Sequence, residues 1–96
     1  MITIIGHVKV RPGRVEAFER LFRDYAARVK ANEPGALVYQ LGRSRADPCA
    51  YKVIEIYRDA AALAEHRAAA YFQPAVEAIA ACLDGAATPE FFDVVE

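Results

Sequence analysis

The residues best suited to chemistry fall in one stretch, "EIYRDAAALAEHRAAAYFQP", residues 55 to 74. Glu55 closes a strand-like run, and His66 follows eleven residues later in an alanine-rich segment. Histidine exchanges its proton near neutral pH, so His66 is a candidate general base. A carboxylate beside it would orient the imidazole and raise its basicity. Tyr71 and Phe72 stand just ahead of Pro74, at an expected helix break where side chains can border a cavity. Flat rings suit a flat aromatic ligand, and phenol hydroxyls fix its polar end. Tyr39, Tyr51 and Tyr57 are further candidates on that ground. His7 is the other titratable group in reach of a cavity, although alternation with Ile5 and Lys9 equally suits a surface or interface. A plainer reading stands beside each: a buried histidine bonded to the scaffold, and tyrosines that fill a core.

The elements that must position these groups are legible in the hydrophobic pattern. Residues 2–10 are β-branched and alternate, with Ile2, Ile4, Val8 and Val10 on one side and Thr3, Ile5, His7 and Lys9 on the other. From about 13 to 32 the period becomes helical, and Val15, Phe18, Leu21, Phe22, Tyr25 and Val29 form one apolar stripe. Pro34 and Gly35 end that helix. Residues 36–45 and 50–58 read as an antiparallel hairpin turned at Asp47-Pro48. Asp59 is an expected N-cap for a helix over 60–69. A second helix over 74–83 would place Val76, Ile79, Ala80 and Leu83 inward, with Gly85 closing it. Residues 88–96 read as a last strand, with Pro89 keeping it near an edge. The order β-α-β-β-α-β predicts an α+β, ferredoxin-like fold over residues 1–96 as one domain, with helices on one face of a four-stranded antiparallel sheet.

On this scheme His66 shares a helical stripe with Ala62, Leu63 and Ala70, so it should face the sheet. Glu55 lies about 10 Å from the turn at Arg58. His66 lies about 12 Å from the same turn along the helix. The two are level. They can pair only if Glu55 faces the helices, and parity leaves that face open. A lone charge among apolar strand residues needs a partner, which favours the opposite face and a contact across an interface.

Composition narrows the classes. The chain has 96 residues, 55% of them apolar, and a formal net charge of −1. That apolar share exceeds the need of one small core, and both faces of the 50–58 strand carry apolar groups. A homodimer through the sheet face is expected. The basic residues form no patch, so nucleic acid is not an expected partner. No apolar run reaches a membrane span. The N-terminal residues alternate and lack a charged leader, which does not suggest a signal peptide. Cys49 and Cys82 lack disulfide-framework or metal-site spacing and read as free thiols in the cytoplasm. No dinucleotide, P-loop or metal-ligand motif is present, so no cofactor is expected.

Residues 33–73 resemble the antibiotic biosynthesis monooxygenase (ABM) domain family, including its quinol monooxygenase-like members. The shared elements are Glu33-Pro34-Gly35, Leu37-x-Tyr39, Asp47-Pro48, Glu55-x-Tyr57, the run Asp59-x-x-Ala62-Leu63-x-x-His66, and Phe72. The resemblance implies a dimeric α+β barrel of two sheets packed face to face, with a pocket between sheet and helices in each subunit. It implies oxidation of a small phenolic or quinol substrate by O2 without metal or flavin. His66 would then be the catalytic base, Tyr39, Tyr57, Tyr71, Phe72 and His7 the substrate-binding set, and Glu55 an orienting or structural residue. A haem-degrading role is disfavoured, because Gly6 and Val76 stand where that branch has its asparagine and ligand histidine, and the chain has no tryptophan. Tyr71 also replaces a second histidine common in relatives. The competing classes are a non-catalytic small-aromatic-binding or stress-response dimer and an isomerase or cyclase on the same scaffold.

Overall fold

A computed structural model describes residues 1–96. Strand β1 (Ile2–Lys9) leads through a 3-10 turn at Pro12–Arg14 into helix α1 (Val15–Asn32). The hairpin β2 (Ala36–Arg43) and β3 (Ala50–Tyr57) follows, then α2 (Ala60–Ala68), α3 (Phe72–Ala80) and β4 (Thr88–Asp93). The sheet order is β2-β3-β1-β4 and every pairing is antiparallel. This is the ferredoxin-like α+β arrangement expected from the sequence.

Local chemistry fixes the boundaries. In the hairpin loop the Ser44 hydroxyl accepts from the amides of Ala46 and Asp47, and Asp47 Oδ1 accepts from Cys49 N–H. Asp59 caps α2 by accepting from Ala62 N–H at 2.8 Å. The break between α2 and α3 falls at Ala69, whose backbone turns extended. Pro74 is the third residue of α3, where a missing N–H leaves no bond unmade.

Helix α3 therefore begins two residues earlier than expected and its inward stripe differs. Phe72, Ala75 and Ile79 pack on the core, while Val76 and Ala80 face out. Leu83 is buried as expected, but beyond the helix, bridged to Val10. Gly85 follows with φ +91, in the left-handed region that favours glycine.

One sheet face is covered. Phe18, Phe22, Tyr25, Ala26 and Val29 of α1 are buried against it, and Val10, Phe18, Val29 and Tyr57 are fully enclosed. Each such side chain contributes about 1.5–3 kcal/mol by leaving water. The other face has no helix over it. Thr3, Ile56 and Val38 lie in register across three strands there, with Phe92 on β4 beside Thr3. Ile5 and Ile54 form the next row. These groups are half-buried or exposed in the single chain. No helix is long and apolar enough to cross a membrane.

Candidate active site

The site is assembled at the end of the sheet where α1 stops and α2 starts. Glu33 is the C-cap of α1 and donates its N–H to Val29 O. Pro34 and Gly35 then turn the chain into β2, and Arg58 N–H donates to Gly35 O, tying this loop to the end of β3. Gly35 has a packing reason: a Cβ there would lie 2.5 Å from Ala62 Cβ. Its bare backbone lets α2 approach, and one turn beyond Ala62 the His66 ring comes over Glu33.

His66 is 3% exposed and Glu33 7%. The two ring nitrogens are 2.9 Å (Nδ1) from Glu33 Oε1 and 3.1 Å (Nε2) from the Tyr25 hydroxyl. A carboxylate only accepts, so Nδ1 carries hydrogen toward Glu33, and in the neutral ring Nε2 accepts from Tyr25. The Tyr71 hydroxyl donates to Glu33 Oε2, so both carboxylate oxygens are used. Aromatic rings enclose the imidazole, with Tyr39, Tyr57 and Phe72 centroids at 5.5, 5.3 and 5.1 Å.

Glu55 faces the helices, in register with Ile4 and Tyr39. This corrects the expectation of the interface face. It does not bond His66; it accepts from the Tyr57 hydroxyl, and its place beside the imidazole is taken by Glu33. Burial raises the Glu55 carboxyl above its usual value, while the Tyr57 hydrogen bond and the nearby His66 oppose this. Its charge thus finds a partner within the chain.

Burial also raises the phenols. Tyr39 and Tyr57 rise well above the usual tyrosine range, chiefly by desolvation and then by the Glu55 charge. Tyr25 rises by burial too, with the neighbouring Tyr39 hydroxyl pulling it partly back. Tyr71 is pushed up to about 12 by burial and by Glu33. All four remain protonated near neutrality and act as neutral hydrogen-bonding groups.

The other expected site residues are divided. Tyr39 and Tyr71 each join the His66 cluster and also line a surface cleft. The Tyr39 cleft, about 670 Å³, runs between α1 and β2; the Tyr71 cleft, about 250 Å³, lies between α1 and α3 and is also lined by Tyr25. Phe72 and His66 meet edge to face, and Tyr57 is wholly enclosed beside them. His7 is not part of this group. It lies on the opposite sheet face, with Nε2 2.8 Å from Glu90 Oε1, because odd-numbered positions of β1 point away from the helices. Tyr51 is also away from His66, but it lines the same α1–β2 cleft as Tyr39, where it donates to Glu19 at 2.6 Å. No three His, Cys, Asp or Glu side chains converge as a metal site would require.

Two members were not anticipated from sequence. Tyr25 reads as one more residue of the α1 stripe, yet a buried phenol needs a partner. Glu33 reads as part of a helix-ending loop. The signal was its charge: an acid at a helix C-terminus opposes the dipole and breaks a local rule, as functional positions do.

The family model described as antibiotic biosynthesis monooxygenase matches residues 1–78. A Caulobacter crescentus CB15 protein named for the same family is 44% identical, with a TM-score of 0.94 over 99% of this chain and 90% of that one. A structure described as an antibiotic biosynthesis monooxygenase is 28% identical over the whole of both chains, with a TM-score of 0.89. A Pseudomonas aeruginosa protein is 29% identical, with a TM-score of 0.85 over 99% of this chain and 94% of that one. No curated protein matches the chain.

Proposed function

The chain belongs to the antibiotic biosynthesis monooxygenase family, and on that premise we propose that it oxidises a small phenolic or quinol substrate with O2, without a cofactor. The observation that carries this reading is the buried chain Glu33–His66–Tyr25. It has the form of a base held by a carboxylate orienter, in a dry aromatic shell. A structural histidine needs no second buried charge, and the cost of burying Glu33 is met by two donors.

The substrate lies in the α1–β2 cleft against Tyr39. Its hydroxyl proton passes to His66 Nε2 through the Tyr39 and Tyr25 hydroxyls, each phenol passing one proton on as it receives another. Glu33 stabilises the imidazolium that results. The phenolate gives one electron to O2, and the two radicals join as a carbon-bound peroxide, which takes the proton held on His66 to become the hydroperoxide. The O–O bond then breaks as the ring carbon gives up its hydrogen as a proton, and that proton leaves with the departing hydroxide as water. For a hydroquinone the balance is quinol plus O2 giving hydroxyquinone plus water, all four electrons coming from the substrate. The protein supplies binding and deprotonation.

Homodimerisation through the uncovered sheet face belongs to the same reading, supported by the apolar rows around Ile5, Ile54 and Ile56. The free thiols of Cys49 and Cys82 suit a reducing compartment such as the cytoplasm. Oxygen-electrode assays with a panel of hydroquinones test the activity. Enzyme-dependent uptake with at least one member is expected. Tight binding of a quinol with no uptake from any would instead mark a binding protein.

A further inference from the structure

We infer that the α1–β2 cleft is built for an anionic aromatic ligand, a phenol or quinol that also carries a carboxylate. This rests on the proposed function only for the cleft being the substrate site; the binding chemistry follows from the cleft itself. At about 670 Å³ it has the size of a small-ligand site. Phe22 and Tyr39 line it, their rings stacked with centroids 5.5 Å apart and planes within 14°. Three cations also line it: Arg23 and Lys30, seven residues apart on one face of α1, and Arg43 at the end of β2.

Only one carboxylate, Glu19, lines the cleft with these cations. It is already shared. Oε1 accepts from Arg23 at 3.2 Å, and Oε2 accepts from Arg43 at 3.3 Å and from Tyr51 at 2.6 Å. Lys30 makes no ion pair. The cleft thus keeps a surplus of positive charge beside an apolar wall whose rings, Phe22 and Tyr39, are largely buried. A neutral quinol would use the wall alone. A carboxylated one would use both, because a planar guanidinium matches the two oxygens of a carboxylate. These cations are exposed, so each contact gives only about a two- to fivefold gain and salt weakens it.

Calorimetric titration under anaerobic conditions with 2,5-dihydroxybenzoate and hydroquinone compares the two cases on one ring system. The carboxylated probe is expected to bind about tenfold tighter at low salt, and the advantage should shrink at high salt. The double variant Arg23→Gln/Lys30→Gln, both at exposed positions, should bring the carboxylated probe close to hydroquinone and leave hydroquinone unchanged. Equal affinity of the two probes, failure of both to bind, or an unchanged preference in the variant would overturn the inference. Charge-dependent binding without oxygen uptake leaves the inference standing and sinks the oxygenase reading. Uptake from hydroquinone with no preference for the carboxylated probe does the reverse.

Discussion

Replacing Glu33 with glutamine keeps the side chain's size and removes its charge and one acceptor oxygen. In the native chain Oε1 accepts from His66 and Oε2 from Tyr71. In the variant one of these partners meets an amide N–H instead. A hydrogen bond to a charged group contributes about 1.5–3 kcal/mol, so about 2 kcal/mol is lost. Glutamine also relieves the repulsion between a carboxylate and the C-terminal end of α1, a gain of about 0.5 kcal/mol. The net loss of about 1.5 kcal/mol corresponds to a fall in melting temperature of roughly 6–12 °C for a chain of this length. The ring tautomer gives a second readout. Native His66, when neutral, carries its hydrogen on Nδ1. If the new amide turns its N–H toward Nδ1, the hydrogen moves to Nε2 and the acceptor facing Tyr25 disappears. Long-range 1H–15N correlation spectra of the side chain distinguish the two forms. A native ring protonated on Nε2 alone, or a variant with native tautomer and native melting temperature, would refute the coupling.

Three further outcomes follow from the packing and charges. Gly35→Ala forces a methyl group to within 2.5 Å of Ala62 Cβ, so thermal melts should show a loss of about 1–3 kcal/mol, with Ala62→Gly recovering part of it. Glu55 has a raised folded value against an ordinary 4.5. The folded state therefore holds that proton more tightly, and its contribution to stability is full below pH 4.5 and lost as pH rises through the raised value. Glu55→Gln escapes this loss, so its melting temperature relative to the native chain should rise between pH 4 and pH 7; a difference that is flat with pH or falls would contradict the assignment. Ile56→Lys places a charge at the centre of the uncovered sheet face, and light scattering should show a native dimer becoming a monomer; a native monomer at micromolar concentration would remove the dimer from the reading.

Period and punctuation carried most of the fold. The alternation of residues 2–10, the α1 stripe, the Asp47-Pro48 hairpin and the Asp59 cap are local signals, and each appears where its residues place it. The register of α3 was less legible, because Pro74 suits any of the first helical positions and alanines mark no face. The inward aspect of His66 followed from helical spacing. Its partner did not, because Glu33 and His66 are 33 residues apart and meet only through the approach of α2 to Gly35. Strand parity placed Glu55 beside Tyr51 and Tyr57 without saying which side is covered. Desolvation argued for the wrong side, since the Tyr57 hydroxyl that satisfies Glu55 is itself two residues away on the same strand. His7 shows the value of parity, which had already set it apart from Ile4 and Val8.

The most direct test of the chemistry is mass spectrometry of the product formed under 18O2, with the native chain and with His66→Ala. The expected result is one 18O atom per product molecule from the native enzyme, the other appearing in water, and a fall in turnover of about 10²–10⁴ in the variant, the range for loss of a general base. A product without 18O, or full turnover by His66→Ala, would contradict base-assisted monooxygenation at His66.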